Sequence, residues 1–136
     1  MRIREAVCAV LLAAFIAAPA AAQPQAQPLP AEPLAPQRGE EWYSGQLIEL
    51  SEILGGSHFL RILCEGRDDQ RWRDYMRGVI SREPEYNALL VEGFNRGYRN
   101  EEARFDRCDD AARQMEAELR ARGLRVAQGL SARHAN

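Results

Sequence analysis

Histidine is the side chain whose ordinary pKa lies nearest neutrality, so a histidine inside an apolar stretch is the first place to look for acid–base or metal chemistry. His58, in Ser57-His58-Phe59-Leu60, is such a residue. The other histidine, His134, lies near the carboxyl end, and no carboxylate stands at a recognised ligand spacing from His58. No metal site is expected, and His58 reads as a structural histidine hydrogen-bonded to a helix end. Ser57 does not form a nucleophile pair with it, because adjacent residues of a helix point apart, and the chain has no G-x-S-x-G elbow. C-x-x-C-H, G-x-G-x-x-G, G-x-x-x-x-G-K-[ST] and H-E-x-x-H are absent too, so no haem, nucleotide or other cofactor is expected. The acidic pairs Asp68/Asp69, Glu101/Glu102 and Asp109/Asp110 sit where helix starts or wet faces already favour negative charge.

A recognition surface is better supported than a reaction centre. Phe94-Asn95-Arg96-Gly97-Tyr98 combines two aromatics, an amide, a guanidinium and a glycine. Asn95, Arg96 and Tyr98 are candidates to bind a carbohydrate or a peptide, with Trp72 and His58 beside them if the helices fold back. The competing reading puts Phe94 and Tyr98 in the core and gives Asn95 a helix terminus to satisfy.

The cysteines depend on the amino terminus. Arg2 and Arg4 precede an apolar run from Ala6 to Ala18, and Ala20-Ala21-Ala22 supplies a small-x-small cleavage site. Residues 1–22 are therefore expected to be a signal peptide, too short in its apolar run for a bilayer span, and the mature form is expected to carry no transmembrane segment. Cys8 leaves with it, and Cys64 and Cys108 remain in an oxidising, periplasmic setting. A bond between them would close a loop of about 45 residues and contribute on the order of 4 kcal/mol in the chain-entropy account. Two buried free thiols and a redox-active pair are the alternatives; redox pairs usually stand as a close C-x-x-C.

Positioning these residues falls to one domain, since 136 residues with 46% hydrophobic and 28% charged content suit a single soluble globular unit. All eighteen basic residues are arginine, the net charge is -2, and no basic run interleaves with aromatics, so a nucleic-acid partner is not expected. Residues 23–39 hold five prolines and little to bury, which predicts an extended, solvated linker. A helix is expected from Glu40, carrying Tyr43, Leu47, Leu50 and Leu54, to a stop at Gly55-Gly56; Ser57 then caps a short helix to Cys64.

After Gly66, Asp68 or Asp69 caps a helix with Trp72, Met76, Val79 and Ile80 on one face, ending near Arg82 before Pro84. The next helix repeats Tyr86, Leu90, Phe94 and Tyr98, and its interior Gly93 and Gly97 imply either close backbone contact or a break near Gly97. The last long helix is expected from Asn100 to Gly123. Its apolar face is Phe105, Cys108, Ala112, Met115 and Leu119, and Asp109/Arg113, Glu116/Arg120 and Glu118/Arg122 pair on its wet side. Residues 124–136 are expected to be a flexible tail. With no run of alternating β-branched residues, the fold class is all-α: a small antiparallel bundle of four to five helices over 40–123, with one disulfide.

Leu54-Gly55, His58, Leu60-Arg61, Leu63-Cys64, Trp72, Met76, Phe94-Asn95-Arg96-Gly97-Tyr98 and Cys108 together resemble an uncharacterised family of small exported proteins of alphaproteobacteria, marked by two well-separated cysteines. The resemblance covers about Leu47 to Ala112. It implies a Cys64–Cys108 disulfide and carries no activity with it. The expected function is a non-enzymatic module binding an envelope protein or cell-wall component. The alternatives are a small envelope-polymer hydrolase or lyase using His58, and a periplasmic chaperone-like helper.

Overall fold

The computed structural model describes residues 35–134 of the chain, and side-chain surroundings for 39–133. The expected signal peptide, the linker up to residue 34 and residues 135–136 lie outside them. The described residues form α1 (Ala35–Glu65), α2 (Arg71–Arg82), a 3-10 turn (Pro84–Tyr86), α3 (Asn87–Glu102) and α4 (Asp110–His134), with no strand among them. The all-α reading and the Cys64–Cys108 disulfide both hold; the bridged α-carbons lie 5.0 Å apart, within the ordinary range for such bonds.

Direction follows from the pairings. Arg61 meets Asp69 at one end of α2 and Tyr43 meets Glu83 at the other, so α2 runs back along α1. Glu65 meets Arg113, Glu49 meets Arg122 and Trp42 meets Arg133, so α4 also runs against α1. Along α3 the order is the same as along α1: Ile48 and Ser51 face Gly93, Glu52 faces Gly97, and Gly56 faces Glu101. Helix α1 is thus the spine on which the other three pack. Leu50, Ile53 and Leu54 join Met76, Val79, Leu90, Val126 and Leu130 in the larger core cluster; Phe59, Leu60 and Ala112 form a second beside the disulfide.

Four expectations about helix ends are corrected. Helix α1 already includes residues 35–39, inside the expected linker. It also does not stop at Gly55-Gly56 to restart at Ser57. A Cβ at Gly55 would run into the Phe94 carbonyl, and one at Gly97 into the Glu52 carbonyl. These glycines let two backbones touch, and the break considered at Gly97 does not occur. The stop comes at Gly66, whose φ of 101° is left-handed and whose N–H reaches the Ile62 carbonyl at 3.1 Å.

Helix α4 starts at Asp110 rather than Asn100 because α3 continues to Glu102, and Asp109 accepts the Ala112 N–H at 3.0 Å as an N-cap. Phe105 and Cys108 therefore precede the helix whose face they were expected to share. Finally, α4 passes Gly123, which lies against Ile53, and continues to His134 because Val126 and Leu130 are buried in the core. Of the three expected surface pairs, Glu116/Arg120 forms at 3.7 Å, whereas Arg113 and Arg122 reach across to Glu65 and Glu49 of α1.

Candidate functional site

Helix α2 is short and amphipathic, and it leaves a groove on each flank. The groove facing α3 has a volume of about 580 Å³. Met76, Ile80 and Phe94 give it an apolar floor, and Arg67, Arg73 and Arg77 stand along it. Arg77 pairs with Asp74; among the described residues Arg67 and Arg73 have no ion-pair partner. The turn carrying Arg67 is fixed by the Gln70 side chain, which donates to the Arg67 carbonyl at 2.7 Å, and by Arg61, which donates to Asp69 at 2.7 Å. That contact raises the Arg61 pKa and holds the Asp69 carboxyl below its ordinary value.

His58 forms part of the same wall. It is 6% exposed, lies inside α1 two turns before its end, and sits 5.7 Å from the Phe94 ring and 6.1 Å from the Tyr98 ring. It is not the helix-end hydrogen-bonding histidine expected above, because α1 has no end there and Nδ1 is enclosed without a partner. Burial lowers its pKa first, the neighbouring Arg73 lowers it further, and Asp69 and Asp74 oppose both. The imidazole is therefore held toward its neutral form. Among the described residues, neither a carboxylate nor a serine or cysteine lines this groove.

Of the residues singled out in the sequence, His58, Asn95 and Tyr98 line this groove together. Arg96 does not: it donates to Glu52 at 3.0 Å through Nε and 2.5 Å through Nη2, and lies 3.4 Å from Glu92. Trp72 lines the opposite groove, as does Ser57, so the adjacent Ser57 and His58 do face apart. Arg67, Arg73 and Gln70 were not singled out for the site. The available signal was an arginine at 73 and another at 77, one turn apart on the wet face of α2, directly after the Gly66 turn.

Among the described residues no helix is long and apolar enough to cross a membrane, and no three His, Cys, Asp or Glu side chains cluster as metal ligands would. The chain belongs to the family described as a protein of unknown function, DUF2385, whose model matches residues 42–134. No curated protein and no solved structure matches it.

Proposed function

We propose that this member of the DUF2385 family is a non-enzymatic binding module of the cell envelope, exported to the periplasm. Its groove between α2 and α3 receives an anionic group of an envelope protein or cell-wall component. The observation that carries this reading is that two guanidinium groups with no ion-pair partner among the described residues, Arg67 and Arg73, stand over an apolar floor. A guanidinium fork matches carboxylate and phosphate oxygens, and its charge-assisted hydrogen bonds are about twice as strong as neutral ones. Asn95 and Tyr98 add neutral hydrogen-bonding groups, and His58 contributes an uncharged ring wall. Export is supported by the disulfide, which persists in oxidising compartments. A hydrolase or lyase would need a carboxylate or nucleophile lining the groove with His58, and among the described residues none does.

Calorimetric titration with a soluble cell-wall stem peptide bearing free carboxylates tests the reading. Binding should weaken with salt and fall at least tenfold in Arg67→Glu/Arg73→Glu, while Arg107→Glu, on the 103–109 loop, should bind as the parent does. Unchanged affinity in the double variant, or in Asn95→Ala/Tyr98→Phe, would overturn it.

A further inference from the structure

The groove on the other flank of α2 has different chemistry. It holds about 520 Å³ between α1, α2 and α4, within the 300–1,000 Å³ span of small-ligand pockets. Leu50 and Leu54, 5% and 4% exposed, give it an aliphatic floor, and Leu124, 60% exposed, is its open wall. Two polar atoms set into the lining, Ser57 Oγ and Trp72 Nε1, are enclosed and have no hydrogen-bond partner among the described residues. Ser57 as a whole is 1% exposed.

Buried polar groups in native proteins are nearly always paired, and those left unpaired call for a specific explanation. Two such atoms along one groove are accounted for by a ligand that supplies the missing partner. The ligand's polar end must accept: an indole N–H and a guanidinium only donate, and a serine hydroxyl donates readily. Arg120, ion-paired with Glu116 at 3.7 Å, lies in the same lining, and among the described residues no carboxylate lines the groove. Negative charge on the accepting group is therefore favoured there.

We infer that this second groove binds an aliphatic monocarboxylate, a medium-chain fatty acid. Its chain lies along Leu50, Leu54 and Leu124, and its carboxylate accepts from Trp72 Nε1 and Ser57 Oγ with Arg120 at the mouth. The site is separate from the cationic groove and independent of what that groove binds.

Isothermal titration of decanoate, kept below its micelle-forming concentration, into the oxidised protein should give saturable one-to-one binding. Ser57→Ala and Trp72→Phe should each weaken it about fivefold, the equivalent of one lost hydrogen bond. Leu124→Asp, at an exposed wall position that leaves folding intact, should abolish it, with melting curves confirming that each variant is folded. Decanol should bind about tenfold more weakly than decanoate. Absence of saturable binding would overturn the inference. So would equal affinity for decanol, unchanged affinity in both Ser57→Ala and Leu124→Asp, or binding to anionic phospholipid vesicles without binding to decanoate.

Discussion

Replacing Gly97 by alanine tests the close contact between α1 and α3. The added Cβ would collide with the Glu52 carbonyl oxygen and lie 2.6 Å from the Glu52 carbonyl carbon and 2.9 Å from its Cα. All three are backbone atoms, so no side chain can swing away and the helices must separate. Overpacking typically costs 1–3 kcal/mol, and a clash confined to backbone belongs at the upper end, about 3 kcal/mol. Alanine returns about 1 kcal/mol of helix propensity. The net expectation is a loss of roughly 2 kcal/mol, or a fall in Tm of roughly 10 °C for a domain of this size.

Gly129→Ala is the matched control. It also lies in a helix, but a Cβ there meets nothing within 4 Å, so it should gain about 0.5–1 kcal/mol. Urea unfolding of the oxidised proteins, followed by circular dichroism, measures both. A Gly97→Ala protein as stable as the parent, or a Gly129→Ala protein equally damaged, would refute the reasoning.

Reducing the disulfide, or replacing both Cys64 and Cys108 by serine, should lower stability by about 4 kcal/mol for a loop of this length; a loss below about 1 kcal/mol in the same unfolding assay would contradict that. Because His58 has a folded pKa below its ordinary 6.5, the unfolded chain takes up its proton first. Its contribution to stability is complete above pH 6.5 and is lost as pH falls from there toward the folded value. His58→Gln should flatten that part of the pH–stability profile, and an unchanged slope would exclude His58 as its source. Tyr43 donates to Glu83 at 2.6 Å, and burial followed by this bond pushes its phenol up to about 12. Tyr43→Phe should cost about 1 kcal/mol below pH 10 and remove a decline in stability that the parent shows as pH rises from 10 toward 12, read from melts across that range.

The helices were legible because apolar residues three and four apart mark one face whatever the tertiary context. Trp72, Met76, Val79 and Ile80 are the plainest case. Their ends were legible only where glycine had a single meaning. Gly66 stops a helix through its backbone conformation, but Gly55, Gly56 and Gly123 are glycine because another helix is pressed against them. In one dimension the two causes read alike. The start of α4 was misplaced for a related reason: Phe105 and Cys108 are half-buried on the loop before the helix, and partial burial at helical spacing does not require a helix.

The site was legible in part. His58 comes to lie against Phe94 and Tyr98 because α1 and α3 are parallel and in contact, which brings Asn95 to the same groove. Arg96, its immediate neighbour, turns instead to Glu52. Arg67 and Arg73 were hidden by composition: in a chain with eighteen arginines, most of them line solvated faces, and only the fold shows which stand along a groove beside Met76, Ile80 and Phe94.

The disulfide and the glycine contacts have similar chain offsets. Cys64 and Cys108 stand 44 positions apart; the separation is 45 for Glu52 with Gly97 and for Ile48 with Gly93, and 39 for Gly55 with Phe94. Once the sulfurs are joined in a still-unfolded chain, the segments that will become α1 and α3 are tethered in nearly their final alignment. The loop-closure entropy that so distant a contact would otherwise require has then already been spent. Oxidation ahead of docking would thus favour the register of the parallel pair, whereas a chain kept reduced must find that alignment by diffusion.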